Sequence, residues 1–180
     1  TFLSLDSIPD VPFYGCKITE AGIFIPDSVK QAAGWEPPSI STRDMAIEKR
    51  ASGAIMYDFD IVGTMQLAMR LYPDIKNVAL LSDNSYGGLS LLSKFREVMK
   101  SNFFQMKTIE LDGRKLTASE IRKKIDSLPE KTIVLLGTWR VDKNCNFYQP
   151  KDASKLFRNR PDIPTFTPTS LLIKDIAIGG

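Results

Sequence analysis

The stretch that decides the fold is Ala79-Leu80-Leu81-Ser82-Asp83-Asn84-Ser85-Tyr86-Gly87-Gly88, where an apolar run stops at a polar turn. The apolar residues 78–81 are typical of a strand buried on both faces, and the residues from Leu89 onward have the pattern of a helix. A polar turn between such elements lies at the carboxyl edge of a sheet, where open α/β folds bind ligands. Any βα turn needs the same residue types for its geometry, so a scaffold role and a binding role are both open.

Apolar strands and amphipathic helices alternate along most of the chain. The apolar runs predict strands at residues 11–16, 54–57, 78–81, 107–111, 132–136 and 163–166. Helical periodicity predicts helices at residues 61–72, from residue 89 onward, at 117–128 and at 152–158. Strands that alternate with helices form right-handed βαβ units around a parallel sheet. The predicted fold class is therefore α/β, a Rossmann-like doubly wound and mainly parallel sheet.

Local signals mark the ends of several helices. Asp60 is a natural N-cap for the helix at 61–72, and Pro73 stops that helix. Thr117 and Glu120 have the spacing of a capping box. The strand at 107–111 alternates between apolar and polar residues, which predicts one exposed face.

The regular pattern begins near residue 53. Residues 19–40 are poorly periodic and rich in glycine and proline, which indicates a long excursion, with one short helix expected near residues 27–33. We therefore expect residues 1–52 to hold a strand and this excursion, and residues 53–180 to form the main α/β domain. Because Thr1 is not an initiator methionine, we also expect a segment of a longer protein.

Composition excludes several classes of function. The chain has 180 residues, a net charge of +3 and no histidine. Without histidine there is no Ser-His or Cys-His nucleophile, so most hydrolase hypotheses become weak. The basic residues lie in short separate groups, typical of solvated helix faces rather than of a nucleic-acid interface. No apolar run approaches the ~20 residues that span a bilayer.

The two cysteines have different surroundings in the sequence. Cys16 follows a β-rich run and is predicted to be a small buried apolar residue. Cys145 lies in a polar stretch and is predicted to be exposed. A disulfide between them is open, because two cysteines alone do not identify the redox compartment.

Polar residues follow four of the predicted strands. In a parallel sheet the carboxyl ends of the strands share one edge, so the segments 58–60, 83–88, 138–140 and 167–170 should converge. Their mixture of carboxylates, amides, hydroxyls, an aromatic ring and a guanidinium suits a small polar ligand. The candidate ligand-binding residues are Asp58, Asp60, Asp83, Asn84, Ser85, Tyr86, Trp139 and Arg140.

Each candidate also has a structural interpretation. Asp60 is favoured as a helix cap by roughly two to one, and Ser85 could cap the next helix. For Trp139 and Arg140 the two interpretations are level: Trp139 could close the core while Arg140 extends to solvent, or both could contact a ligand.

Cofactor and metal chemistry find little support. The glycines at 87 and 88 do not form a phosphate-binding pattern, so no nucleotide or other cofactor is predicted. Asp58, Asp60 and Asp83 could bind Mg²⁺, but a lysine placed near a strand end is missing, so metal binding is a minority interpretation.

Several ordered motifs within residues 53–180 resemble a known family. They are residues 57–64 (YDFDIVGT), 82–88 (SDNSYGG), 135–142 (LLGTWRVD) and 176–180 (IAIGG). They resemble the type 1 periplasmic-binding-protein-like sensor domains of bacterial sensor histidine kinases, which are related to ABC-transporter substrate-binding proteins. The resemblance implies two lobes with ligand bound between them. This chain would then hold mostly the second lobe, together with the last strand of the first.

The resemblance implies a function without catalysis. The expected role is an extracytoplasmic, periplasmic domain that senses a small polar ligand, with lobe closure signalling to a histidine kinase. The parent chain is then expected to be membrane-anchored and dimeric, with no nucleic-acid partner. The alternatives are a substrate-binding protein of an ABC transporter and, less favoured, a flavodoxin-like or Rossmann-like enzyme.

Overall fold

The computed structural model describes residues 14–19, 52–169 and 177–179. The chain divides into two compact units, residues 1–58 and residues 59–180. The sequence predicted a boundary between residues 52 and 53. The structure places the strand that follows this point with the first unit, because that strand pairs with the strand at Tyr14–Thr19.

The described part of the first unit is a parallel pair of strands. Strand β1 (Tyr14–Thr19) lies beside β2 (Gly53–Tyr57), with an irregularity between Cys16 and Ile18. The sequence predicted the first strand at 11–16, and its residues 11–13 lie outside the described part. The strand continues to Thr19 because β-branched Ile18 and Thr19 suit a strand. The predicted burial of Cys16 also lies outside the described side chains.

The second unit is built on a four-stranded parallel sheet in the order β4-β3-β5-β6. Its elements are, in chain order, helix α1 (Ile61–Leu71), β3 (Asn77–Ser82), α2 (Tyr86–Asn102), β4 (Lys107–Asp112), α3 (Ala118–Asp126), β5 (Thr132–Leu136), a 3-10 helix (Pro150–Phe157) and β6 (Thr165–Phe166). The predicted α/β class with a Rossmann-like parallel sheet is confirmed.

The two central strands form the core of this sheet. Every residue of β3 and of β5 is buried, as expected for parallel strands covered on both faces. On one face, Leu81 and Leu136 join a cluster with Ile121 and Ile125 of α3. Burying such aliphatic side chains stabilises the fold by about 1.5–3 kcal/mol each.

Side chains cap the three helices at the carboxyl edge of the sheet. Asp60 Oδ1 accepts a hydrogen bond of 2.8 Å from Gly63 N, which confirms the predicted N-cap. The capping box of Thr117 and Glu120 is also confirmed. Helix α2 begins at Tyr86, three residues before the predicted Leu89, because the Ser85 hydroxyl accepts a bond from Gly88 N.

Several other elements depart from their predicted form. The segment predicted as a helix at 152–158 is the 3-10 helix Pro150–Phe157, and the last strand contains only Thr165–Phe166. Strand β4 does not alternate: it is exposed at its start and buried at Leu111 and Asp112. Burial increases along the strand because its carboxyl end packs under the turns after β3 and β5, as Gly113 does.

The segment at residues 177–179 lies along the outer side of β6. Ile178 N donates to Thr165 O at 2.7 Å, and Thr167 N donates to Gly179 O at 3.0 Å. These bonds satisfy backbone groups that an edge strand would otherwise leave open. Among the described residues, no helix is both long and apolar enough to cross a membrane.

Candidate functional site

Asp83 joins the turn after β3 to the turn after β5. Its carboxylate accepts hydrogen bonds from Ser85 N at 3.0 Å, from Ser85 Oγ at 2.5 Å and from Thr138 Oγ1 at 2.9 Å. A fourth bond of 2.6 Å comes from Arg140 N. Asp83 is 1% exposed, and its carboxylate oxygens accept hydrogen bonds from groups within the protein. The carboxylate therefore fixes the backbone of both turns relative to each other.

Glycines allow the neighbouring segments to approach Asp83 closely. A Cβ atom at Gly88 would overlap the Asp83 carboxylate and backbone, and one at Gly113 would lie 2.9 Å from Asp83 Cα. Such distances are shorter than real Cβ contacts, so both positions need glycine. The three turns after β3, β4 and β5 thus form one packed layer, and Gly88 is explained here by space around Asp83.

Trp139 lies inside this layer rather than on its surface. Its side chain is 3% exposed, belongs to the core cluster and lies against Tyr148 with ring centroids 5.1 Å apart. Its indole Nε1 is buried and has no hydrogen-bond partner among the described residues. The packing role that the sequence left open for Trp139 is the one the contacts describe.

Arg140 and Asn84 contribute backbone bonds to the layer. Arg140 uses its N–H toward Asp83, while its side chain is exposed. Asn84 N donates to Val141 O at 2.9 Å, and Asn84 Oδ1 is buried with no partner among the described residues. Ser85 is the N-cap of α2.

The remaining predicted residues are Asp58, Asp60 and Tyr86, together with the segment 167–170. Asp60 is exposed and caps α1. Asp58 is exposed and belongs to the first compact unit. The side chain of Tyr86 lies outside the described side chains, as does Ser170. Thr167 is buried, and its hydroxyl lies 3.2 Å from that of Thr169. The ligand contacts predicted for all eight residues stay predictions.

Asp142 is a functional candidate that the sequence reading missed. It is fully buried and accepts bonds from Asn144 N, Asn146 N, Asn146 Nδ2 and the Tyr148 hydroxyl. Burial alone would raise the pKa of Asp142, but the bonds from Tyr148 and Asn146 outweigh it and hold that pKa below its usual value. Burial, and then the bond to Asp142, raise the pKa of the Tyr148 phenol. The aspartate shapes the 140–149 turn as Asp83 shapes its own.

Asp112 and Arg114 form a second missed feature, at the end of β4. Arg114 Nη2 lies 2.6 Å from Asp112 Oδ2, and each side chain is 3% exposed. Arg114 N also donates to Asp112 Oδ1 at 3.0 Å. The signal was available, because an Asp-Gly-Arg sequence follows the predicted strand directly.

A surface ion pair ties the 140–149 turn to α3. Lys143 Nζ lies 2.6 Å from Glu120 Oε2. The bond from Lys143, followed by bonds from Thr117, lowers the pKa of Glu120 to about 2. Glu120 thus serves the capping box and the ion pair together.

The described residues do not form a candidate metal site. Those residues contain no group of three or more His, Cys, Asp or Glu side chains that could hold a metal ion. Cys145 is exposed, as predicted, and is a free cysteine. A groove of about 470 Å³ opens at the opposite, amino edge of the sheet, between Tyr72, Pro129 and Pro164. This groove lies at the other edge of the sheet from the packed layer formed by the turns after β3, β4 and β5.

Comparisons with known proteins add no relative. No protein-family model, no curated protein and no solved structure matches this chain. What the chain can be assigned to is the parallel α/β fold that its sheet defines.

Proposed function

We propose that this chain is a non-catalytic domain that binds a small polar ligand at the carboxyl edge of the β4-β3-β5-β6 sheet. The observation that carries the proposal is the Asp83 network, which holds the turns after β3 and β5 in one arrangement. Open parallel sheets bind ligands at this edge. Turns that are already ordered before binding lose little conformational entropy when a ligand binds, and this raises the affinity.

The chemistry at this edge favours binding over catalysis. Asp83, Asp112 and Asp142 are buried and engaged in hydrogen bonds, so none is placed as a general base for a substrate. A general base must reach the proton that it removes. The exposed groups that remain, such as the Arg140 guanidinium, are suited to recognition.

We further propose that binding is read as a signal by a larger, membrane-anchored parent protein in the periplasm. The support is the resemblance of four sequence motifs to sensor domains of histidine kinases. A ligand signals by shifting a conformational equilibrium, in proportion to its different affinities for the two states. Here the coupled turns supply a single element that a ligand can stabilise.

The NMR chemical shifts of backbone amides at the carboxyl edge of the sheet provide a direct test of binding. Sugars, amino acids and nucleosides are screened against the 15N-labelled chain, and a ligand is expected to shift the amides of Asn84, Ser85 and Arg140. Thr138→Val removes one bond to Asp83 and should weaken that ligand about three- to tenfold. Gln66→Ala, on the exposed side of α1, is the matched control and should leave the affinity unchanged. If no compound shifts these amides, the proposal fails.

The signalling part is tested on the intact parent protein. The sequence downstream of residue 180 should encode a transmembrane helix and a kinase module. A ligand found in the screen should change the autophosphorylation rate of that kinase in membranes. A stop codon shortly after this region would instead point to a soluble transport receptor.

A further inference from the structure

The groove at the amino edge of the sheet is formed by three loops, at residues 71–75, 129–132 and 160–164. Its volume of about 470 Å³ lies within the range of pockets that bury a small ligand. Backbone bonds hold two of the loops together, because Lys131 O accepts from Lys76 N at 2.9 Å and from Asn77 N at 3.1 Å. Arg160 Nη1 links the third loop to them by donating to Leu128 O at 3.4 Å. The groove is therefore formed before a ligand binds.

Apolar side chains make up most of the groove lining, among them Tyr72, Pro73, Pro129 and Pro164. The half-buried Tyr72 ring packs edge-on against the buried Phe166, with ring centroids 6.1 Å apart and an interplanar angle of 83°. This contact fixes the orientation of the tyrosine ring, and proline side chains have almost no rotational freedom to lose. An apolar ring that packs on these groups therefore costs little conformational entropy in the protein.

The charge left for a ligand in this groove is negative. The lining holds three carboxylates and two cations. Arg160 Nε lies 3.0 Å from the carboxylate of Asp162. Lys131 Nζ lies 3.9 Å from the carboxylate of Asp74. Glu130 is exposed, and its side chain has no hydrogen-bond or ion-pair partner among the described residues. A cation therefore matches this groove better than an anion does.

We propose that the groove is a second small-molecule site, which binds an organic cation bearing an apolar ring, such as an aromatic amine. The ammonium group pairs with the Glu130 carboxylate, and the ring packs on Tyr72 and the prolines, which line the same groove. The electron-rich face of a tyrosine ring also attracts a cation. Because this site lies at the amino edge, the inference does not depend on the ligand that we propose for the carboxyl edge.

Matched probes separate the charge from the ring. Benzylamine and phenethylamine are titrated into the 15N-labelled chain, beside benzyl alcohol, benzoate and methylamine. The aromatic amines should shift the amides of Ile75, Lys131 and Ile163 and leave those of Asn84 and Arg140 unshifted. They should bind about two- to fivefold tighter than benzyl alcohol, because an exposed ion pair contributes little. Methylamine lacks the ring and should bind at least about tenfold more weakly than benzylamine.

Variants then identify the side chains. Glu130→Gln removes the charge but keeps the backbone C=O that accepts from Asn77 Nδ2 at 3.0 Å. It should weaken the amines about two- to fivefold and leave benzyl alcohol unchanged. Tyr72→Leu should weaken benzylamine and benzyl alcohol alike, about two- to tenfold. The controls are Glu97→Gln, on the exposed side of α2, and Phe104→Leu, which is 81% exposed and lies outside the groove. Both controls should bind as the parent chain does.

The outcomes distinguish this inference from the proposed function. If benzoate binds as tightly as the amines, or if Glu130→Gln weakens the alcohol as much as the amine, the ligand class is wrong. If the amines leave the groove amides unshifted, or shift only the amides of Asn84 and Arg140, the second site is refuted. The proposed function is judged separately, by whether any compound shifts the amides at the carboxyl edge.

Discussion

Replacing Asp83 should destabilise the second unit in a way that depends on hydrogen-bond chemistry. Asp83→Ala leaves the backbone N–H groups of Ser85 and Arg140 without their acceptor, while the two hydroxyl donors can rotate toward other partners. Each buried unsatisfied donor costs about 1–3 kcal/mol, so the free energy of unfolding should fall by about 2–6 kcal/mol.

Asp83→Asn is the sharper variant because it keeps the volume. Its Oδ1 still accepts from Ser85 and Thr138, but its NH2 group faces the Arg140 N–H, which lies 2.6 Å from the carboxylate. One lost bond and one opposed donor should cost about 1–3 kcal/mol. The loss should therefore be clearly smaller than for Asp83→Ala.

Urea unfolding followed by the fluorescence of Trp139 measures both losses. A Trp35→Phe background leaves Trp139 as the sole tryptophan, since the chain has two. Asp74→Asn is the control, because the Asp74 side chain is 85% exposed and lies 3.9 Å from Lys131. It should change the free energy of unfolding by less than about 0.5 kcal/mol. Equal losses for Asp83→Asn and Asp83→Ala, or losses no larger than the control, would refute the reasoning.

Three further changes test the packing and charge of the same edge. Gly113→Ala should cost about 1–3 kcal/mol in urea unfolding, because its Cβ would lie 2.9 Å from Asp83 Cα, whereas Gly87→Ala, with its nearest atom at 3.8 Å, should be neutral or stabilising. Trp139→Ala should cost about 3–5 kcal/mol in urea unfolding followed by far-UV circular dichroism, because it removes a buried ring. Trp139→Phe should cost clearly less, because it keeps a ring and removes a buried N–H donor that has no partner among the described residues. The pKa of Glu120 is lowered from 4.5 to about 2, so its contribution to stability is complete above pH 4.5 and is lost as pH falls toward 2. Glu120→Gln should flatten that part of the stability profile, and an unchanged profile would contradict the Glu120–Lys143 pairing.

Sequence reasoning succeeded where the signal is local. Strand β5 was predicted with its observed bounds, because a continuous apolar run between a turn and a glycine has few other uses. The caps at Asp60 and Thr117 were found for the same reason, since a cap bonds only to residues within its own first turn.

It failed where the decisive partner is distant in the sequence. The hydrogen-bond network of Asp83 was not predicted, because its bonds to Thr138 and Arg140 join residues 55 and 57 positions away. The pairing of β2 with β1 also depends on a partner far along the chain. Cys145 has a left-handed backbone, with φ of 59°, and lies in the turn that Asp142 stabilises through its hydrogen bonds. No local sequence pattern predicts this turn.

The buried aspartates also bear on how this domain could change its specificity over evolutionary time. Asp83 and Asp142 hold their turns largely through backbone N–H groups, such as those of Arg140, Asn144 and Asn146. Any residue except proline supplies that donor, so the side chain at Arg140 can vary while the turn keeps its shape. If the domain binds a ligand as we propose, the same scaffold could acquire new ligands by a few surface substitutions, without the loss of stability that usually limits such change.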